Sequence, residues 1–373
     1  MLKGLNLNPG VTGFGLVGAT VNGVLQTGSA ALRQSNTFRT NIANGNYTAA
    51  ASSLNSSTAI TGQGGGLIRN GGLPENFIVN NPQFNNVTFS SNPGSSIYHS
   101  MQAQLTFRPT SGLNYQATYV WSKAISACAN ALCSTWANVL DRSLDRTLQD
   151  SNRAHDFRIN GTWELPFGPN RMLLGNSHGV LARLVERWQL SWILNLTSGA
   201  PLSIAPPNAN TYNSYLGYGR PMIVGNFPKD QGKAVKTSGL PVYFAPGTYQ
   251  TVNDPQCANV TTLQGLRTAC TLGALADSQG RLLLQAAAPG TLGTLGESWI
   301  TGPGSFRFDL SASKTMRISE TKSVQLRMDA RNVLNHPILG SPNLDINSAN
   351  FGQIPADSVT GARQFQAQLR FSF

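Results

Sequence analysis

Seven stretches of about ten residues that alternate apolar and polar side chains, connections that are alternately short and long, and a charged fraction of only 12% predict an all-β chain. They define an antiparallel transmembrane β-barrel segment of about seven strands, an incomplete barrel with long extracellular loops. An ordinary globular domain carries about 25% charged residues. Here the polar share comes instead from Asn, Ser, Thr and Gln.

The strands are expected at 98–107, 113–122, 156–165, 188–197, 305–316, 323–331 and 364–373. The first sets Met101, Ala103, Leu105 and Phe107 against Gln102, Gln104 and Thr106. The second carries Leu113, Tyr115, Ala117, Tyr119 and Trp121 on one side, and the third Phe157, Ile159, Trp163 and Leu165. In the fourth, Trp188, Leu190, Trp192, Leu194 and Leu196 oppose Gln189, Ser191, Asn195 and Thr197. The fifth and sixth repeat the pattern with Phe306, Phe308, Leu310 and Ala312, then Val324, Leu326, Met328 and Ala330. The seventh, "RQFQAQLRFSF", keeps Phe365, Ala367, Leu369, Phe371 and Phe373 on one face up to the last residue.

Short links at 108–112 and 319–321 and a moderate one at 166–187 alternate with long links at 123–155, 198–304 and 332–363. With the final residue on the periplasmic side, every short turn falls there and every long loop lies outside, as in outer-membrane barrels. Trp121, Trp163, Trp188 and Trp192 join the apolar face, suiting the aromatic girdles of a bilayer interface. Matching faces between the fifth and sixth strands requires paired numbers to have an even sum. A sum of 640 leaves Ser319–Thr321 as the turn and sets Asp309 opposite Arg331, where an ion pair is expected. The chain thus divides into a Gly/Asn/Ser-rich extracellular region, 1–96, and barrel strands, 97–373. A short helix is expected within 35–54.

No stretch approaches the 18 or so consecutive apolar residues of a transmembrane helix. The net charge of +11 is spread over single basic residues rather than a patch, which argues against nucleic acid. The close pairs Cys128/Cys133 and Cys257/Cys270 lack metal-site spacing and read as two local disulfides of an oxidising compartment. That favours export, although "MLKGLNLNPGVTG" has no signal-peptide core, so a missing leader is expected. "GFGLVG" (Gly13, Gly15, Gly18) spells a dinucleotide motif without the preceding strand or the following acid. His99, His155 and His336 sit near strand ends without a nucleophile motif. The Tyr-rich 210–221 could stack on a sugar ring or simply pack as a loop. No catalytic, metal or cofactor site is expected, and the chain reads as a non-enzyme.

The stretches "GLPENFIVNNPQF", "YHSMQAQLTFRPTSGLNYQATYVWSKAI", "RAHDFRINGTWELPFG", "LTSGAPLSI", "RMDARNVLNHPILGSPN" and "ARQFQAQLRFSF" cover most of 66–373 in order. Together they resemble the C-terminal barrel of Oar-like TonB-dependent outer-membrane transporters of the carboxypeptidase-regulatory-like group. The resemblance implies a Gram-negative cell outer membrane and a parent barrel of about 22 strands around a plug. This sequence carries neither plug nor TonB box, so it is expected to be the C-terminal part of such a chain. The missing plug and strands of the parent, outer-membrane lipid and a carbohydrate or other nutrient would then be its partners. Arg158, Glu164, Arg307, Asp309, Arg327, Asp329, Arg331 and Arg370 would line the lumen. Phe365, Leu369, Phe371 and Phe373 resemble the signal by which the barrel-assembly machinery accepts a last strand. The alternative is a small stand-alone structural or adhesive barrel, completed by an eighth strand around 76–89.

Overall fold

The computed structural model describes residues 17–21, 23–27, 34–56, 68, 73–74, 76–79, 81, 94–109, 112–127, 141–206, 219–230, 232–262, 265–319 and 321–373. Seven long strands form one sheet: β1 Ser96–Phe107, β2 Leu113–Ser126, β3 His155–Glu164, β4 Trp188–Thr197, β5 Ser305–Arg317, β6 Ser323–Arg331 and β7 Gln364–Ser372. Spatial order equals chain order and every neighbouring pair is antiparallel, so the sheet is an up-and-down meander rather than a Greek key. The short strand Thr147–Leu148 extends the loop end of β2. Among the described residues β1 pairs only with β2 and β7 only with β6 within this sheet, which is therefore open.

The registers keep one face apolar through the middle of the strands. Met101 faces Trp121, Ala117 faces Ile159, Phe157 faces Leu196, Leu194 faces Phe308, Leu310 faces Ala330 and Leu326 faces Leu369. The β5–β6 pairs sum to 640 as expected, and Ile318 N–H donating to Lys322 O (2.8 Å) leaves 319–321 to connect them. One ladder row runs Phe107, Tyr115, Gly161, Trp192, Leu310, Ala330, Phe365. It enters at the turn end of β1 and leaves near the loop end of β7. That steady stagger is what tilted strands on a barrel wall require.

β2 runs past its expected end to Ser126. Above the alternating part it is covered by protein: Ala124 N–H donates to Asn152 Oδ1 (2.8 Å) and Ser122 Oγ to Arg153 O (2.9 Å). Where a loop packs on the strand, lipid no longer dictates the pattern.

Among the described residues the wall contains no core of its own. Ile204, Phe227, Tyr243, Phe244, Leu275, Leu283, Leu284, Leu295, Ile300, Leu344 and Ile346 form the buried cluster, and all lie in the two longest connections. These connections build a cap around a four-stranded sheet ordered Tyr249–Asn253, Gly273–Asp277, Leu282–Gln285, Met222–Ile223. Among the described residues the apolar side of the wall stays largely bare away from its turn end, with Met101 55% and Leu105 56% exposed. A sheet with one apolar face and no partner layer needs an apolar solvent on that side.

The N-terminal region is more structured than the sequence implied. It holds a hairpin, Val17–Val21 with Val24–Thr27, and helices α1 Asn36–Ala43 and α2 Tyr47–Ser56 where one helix was expected. Asn44 and Gly45 break the helix: Gly45 has φ +67°, and a Cβ there would lie 2.4 Å from Pro289 Cγ. Asn44 then clasps the cap, accepting from Thr271 N–H (2.8 Å) and donating to Thr271 Oγ1 (2.9 Å). Gly18 lies in the hairpin, while Gly13 and Gly15 of the dinucleotide spelling lie outside the described residues. Of the proposed eighth strand, 76–78 form a turn, and 82–89 lie outside the described residues. No described helix is long and apolar enough to cross a membrane, which says nothing of a chain that crosses with strands.

Candidate functional site: the concave wall and its rim

Because side chains alternate and the sheet curves, the polar face of all seven strands becomes one concave surface. It encloses about 1090 Å³, bounded from Thr106 of β1 through Asn160, Ser191 and Asp309 to Gln366 of β7. The ladder joins Thr106, Gln116, Asn160, Ile193 and Asp309 in one row, and Arg331 pairs with Gln364 further along. The side chains lining this space are mainly amides, hydroxyls and a group of charged residues toward β5 and β6.

The expected lumen residues divide by position. Asp309, Arg327, Asp329 and Arg331 line the main concavity together. Arg307 joins them through its ion pair with Asp309 (3.0 Å), and Arg327 pairs with Asp329 (2.9 Å). Arg158 lies in a second concavity of about 440 Å³ toward the loop end, with Tyr98, Asn152 and Arg153, and pairs with Asp156 (2.7 Å). Glu164 stands at the turn end, 3.5 Å from Arg171. Arg370 lies opposite Gln325, nearer the turns.

The ion pair expected between Asp309 and Arg331 is not formed. Asp309 instead takes Arg307 from its own strand and accepts Asn332 N–H at 2.7 Å. Residues two apart share a face, so a long arginine reaches along the strand as easily as across it. Asn332, at φ +48°, turns the chain so that its N–H meets the carboxylate. "DFR", "RFD" and "RMD" spell the three along-strand pairs, a signal that strand-by-strand reading missed. Exposed to lumen water, each contributes about 0–1 kcal/mol.

Two charged clusters escaped the sequence reading altogether. In the cap, Arg220 lies 3.2 Å from Glu297 and 3.5 Å from buried Asp145, tying two long connections together. Burial holds the Glu297 carboxyl above its ordinary range; Arg220 opposes that shift and Asp145 reinforces it. On the wall, Lys314 continues the apolar parity of β5 and faces Trp188 and Leu326. It is nonetheless buried, its ammonium donating to Leu184 O and Glu186 O.

Phe365, Leu369 and Phe371 point to the apolar side, opposite Ala330, Leu326 and Val324, with Phe373 fully exposed beyond them. Cys257 and Cys270 are joined as a disulfide, Cα–Cα 5.6 Å; Cys128 and Cys133 lie outside the described residues. His155 Nδ1 is 2.8 Å from Tyr119 Oη, and His336 packs edge-on against Phe306. His99 lies opposite Lys123 on the ladder. Residues 210–218 of the Tyr-rich loop lie outside the described residues.

An apolar outer face, a polar concave face, aromatic side chains toward both strand ends and capped loops at one end define an integral outer-membrane β-barrel protein. The family comparison agrees: a model of the outer membrane beta barrel domain matches residues 21–366, and the chain belongs to that family. No curated protein and no solved structure matches it.

Proposed function

We propose that the chain is the C-terminal portion of an Oar-like, TonB-dependent transporter in a Gram-negative outer membrane. It supplies part of the barrel wall and the loops that meet substrate. The observation carrying this reading is the polar concavity of about 1090 Å³ in a sheet whose edges, among the described residues, are open. An unpaired edge in hydrocarbon leaves backbone groups unsatisfied at several kcal/mol each, so further strands from a parent chain fit the geometry. In this reading the chain catalyses nothing and uses no cofactor or metal. Lumen cations and carboxylates meet a polar nutrient, a carbohydrate among the candidates, and nucleic acid is not a ligand. The barrel-assembly machinery recognises Phe365, Leu369, Phe371 and Phe373.

The test is an immunoblot of native outer membranes with an antibody against the 198–304 connection. A band well above 39.8 kDa supports the transporter reading. A band near that mass sinks it in favour of a small structural barrel.

A further inference from the structure

The connection between β3 and β4 does not hang free below the wall. Its helix α3, Gly179–Val185, is held on the outer, apolar side of the sheet by side chains of that face. Lys314 Nζ donates to Leu184 O and Glu186 O, both at 2.8 Å, and lies 5.3 Å from the centre of the Trp188 ring. Trp188 Nε1 donates to Leu184 O as well (3.0 Å), and Arg183 reaches Arg317 O (2.7 Å). A lysine on the lipid side of a barrel is costly unless something satisfies it. Here the end of α3 does, with carbonyls that lack helical partners and favour a cation.

Anchored there, α3 buries Ala182 and leaves Val180 76%, Leu181 54% and Leu184 58% exposed. Met172, in the same connection, is 88% exposed. This patch continues the lipid-facing side of the wall at its turn end. Beside it a hollow of about 520 Å³ is lined by Arg183, Arg187, Arg317 and His178, with Glu186 as the opposing charge. Exposed apolar side chains next to an excess of arginine form the pattern of an interfacial helix on an anionic leaflet.

We propose that α3 lies in the bilayer leaflet at the turn end and that Arg183, Arg187 and Arg317 hold the phosphate of an anionic phospholipid. Val180, Leu181 and Leu184 enter the acyl region beside it. The site depends on which face of the wall meets lipid and not on transport, so it stands or falls separately from the transporter reading.

The test uses the protein as assembled in native outer membranes, exchanged into an equimolar mixture of phosphatidylglycerol and phosphatidylcholine and then released into detergent for native mass spectrometry of retained lipid. The expected result is selective retention of phosphatidylglycerol. The double variant Arg187→Gln/Arg317→Gln should lower that retention on the order of tenfold, since each basic group near the surface contributes separately. Arg187→Lys/Arg317→Lys should preserve most of it. Heat-modifiable migration on gels reports that each variant is folded, and Arg317→Gln alone replaces the double variant if that one does not fold. Equal retention of the two lipids by the wild type would overturn the proposal, as would unchanged selectivity in the folded glutamine variant. Displacement of the lipid by millimolar glycerol phosphate would show that the phosphate group alone is the ligand and would overturn the membrane assignment.

Discussion

Ile159 and Asn160 are neighbours in the middle of β3, and the registers send them to opposite solvents. Ile159 faces Ala117 and Leu194 on the apolar side; Asn160 faces Gln116 and Ile193 in the concavity. Replacing each with arginine therefore measures the two environments separately. An arginine on the lipid face near the bilayer midplane costs about 2–4 kcal/mol, and a lumen substitution costs far less. At about 1.4 kcal/mol per factor of ten, Ile159→Arg should lower the folded-to-unfolded ratio roughly 30- to 700-fold. Asn160→Arg should change it little, because water solvates the new cation and Arg158 beside it is already paired with Asp156. The assay is urea-driven unfolding in phospholipid vesicles, followed by tryptophan emission and by heat-modifiable gel migration. Repeating it in thinner bilayers adds a second test, since a lipid-facing arginine then snorkels to the interface and its cost falls. Equal costs for the two variants would refute the assignment of faces. A cost for Ile159→Arg that ignores bilayer thickness would mean that protein, not lipid, covers that side.

Asp254, 1% exposed, accepts Gln256 N–H and Ala286 N–H at 2.8 Å each, so Asp254→Ala should cost the cap about 2–5 kcal/mol by orphaning both donors. Hydrogen exchange across 249–290 should quicken while wall strands keep their protection; uniform quickening would contradict a separate cap. Gly161 sits between Tyr115 and Trp192, where a Cβ would lie 2.5 Å from Trp192 Cζ2 and 2.7 Å from Asn114 O. Gly161→Val should therefore destabilise the wall by about 1–3 kcal/mol in vesicle unfolding, and a neutral result would show the close approach to be relaxed at no cost. Glu297 has its folded pKa raised by burial, so its contribution is fully present below the unfolded value of about 4.3 and is lost as pH rises through the folded value. Against Glu297→Gln, the wild-type denaturant midpoint should fall from pH 4 to 7; a constant difference would disprove the shift.

How much could be read from the chain depended on what each residue faces. Strands that meet lipid on one side and water on the other must alternate, so Met101, Leu194, Leu326 and Leu369 announced the wall and its register. The polar face was legible as a face but not in its partners, because Asp309 had two arginines to choose from, Arg331 across the ladder and Arg307 along its strand, and took the second. Lys314 was illegible: its place on the apolar side makes sense only once Leu184 and Glu186 offer their carbonyls. The cap core was hidden for another reason. Ile204, Phe244, Leu295 and Ile346 come from separated segments with no shared period, and only three-dimensional packing brings them together. The N-terminal helices fall between these cases, with the Asn44–Gly45 break set by contacts to Thr271 and Pro289 far along the chain.

The division between a coreless wall and a cored cap follows from solvent. In the wall, lipid takes the place of a second apolar layer, so the strands are joined by ladder hydrogen bonds and need little interior packing. Beyond the bilayer that partner disappears, and the long connections must bury their own apolar side chains or remain unfolded. Joints between the two regimes are accordingly polar and specific. Asn332, 3% exposed at the top of β6, gives its N–H to Asp309 of the wall and its side chain to His336 O and Gly361 O in the last long connection. His336 N–H returns to Asn332 Oδ1 at 3.0 Å. Tyr243 in the cap donates its hydroxyl to Thr301 O, four residues before β5 begins. The described parts of the loops are therefore packed together and fastened to the rim, and under the proposed transport function they are the first side chains a ligand meets on its way to the concavity.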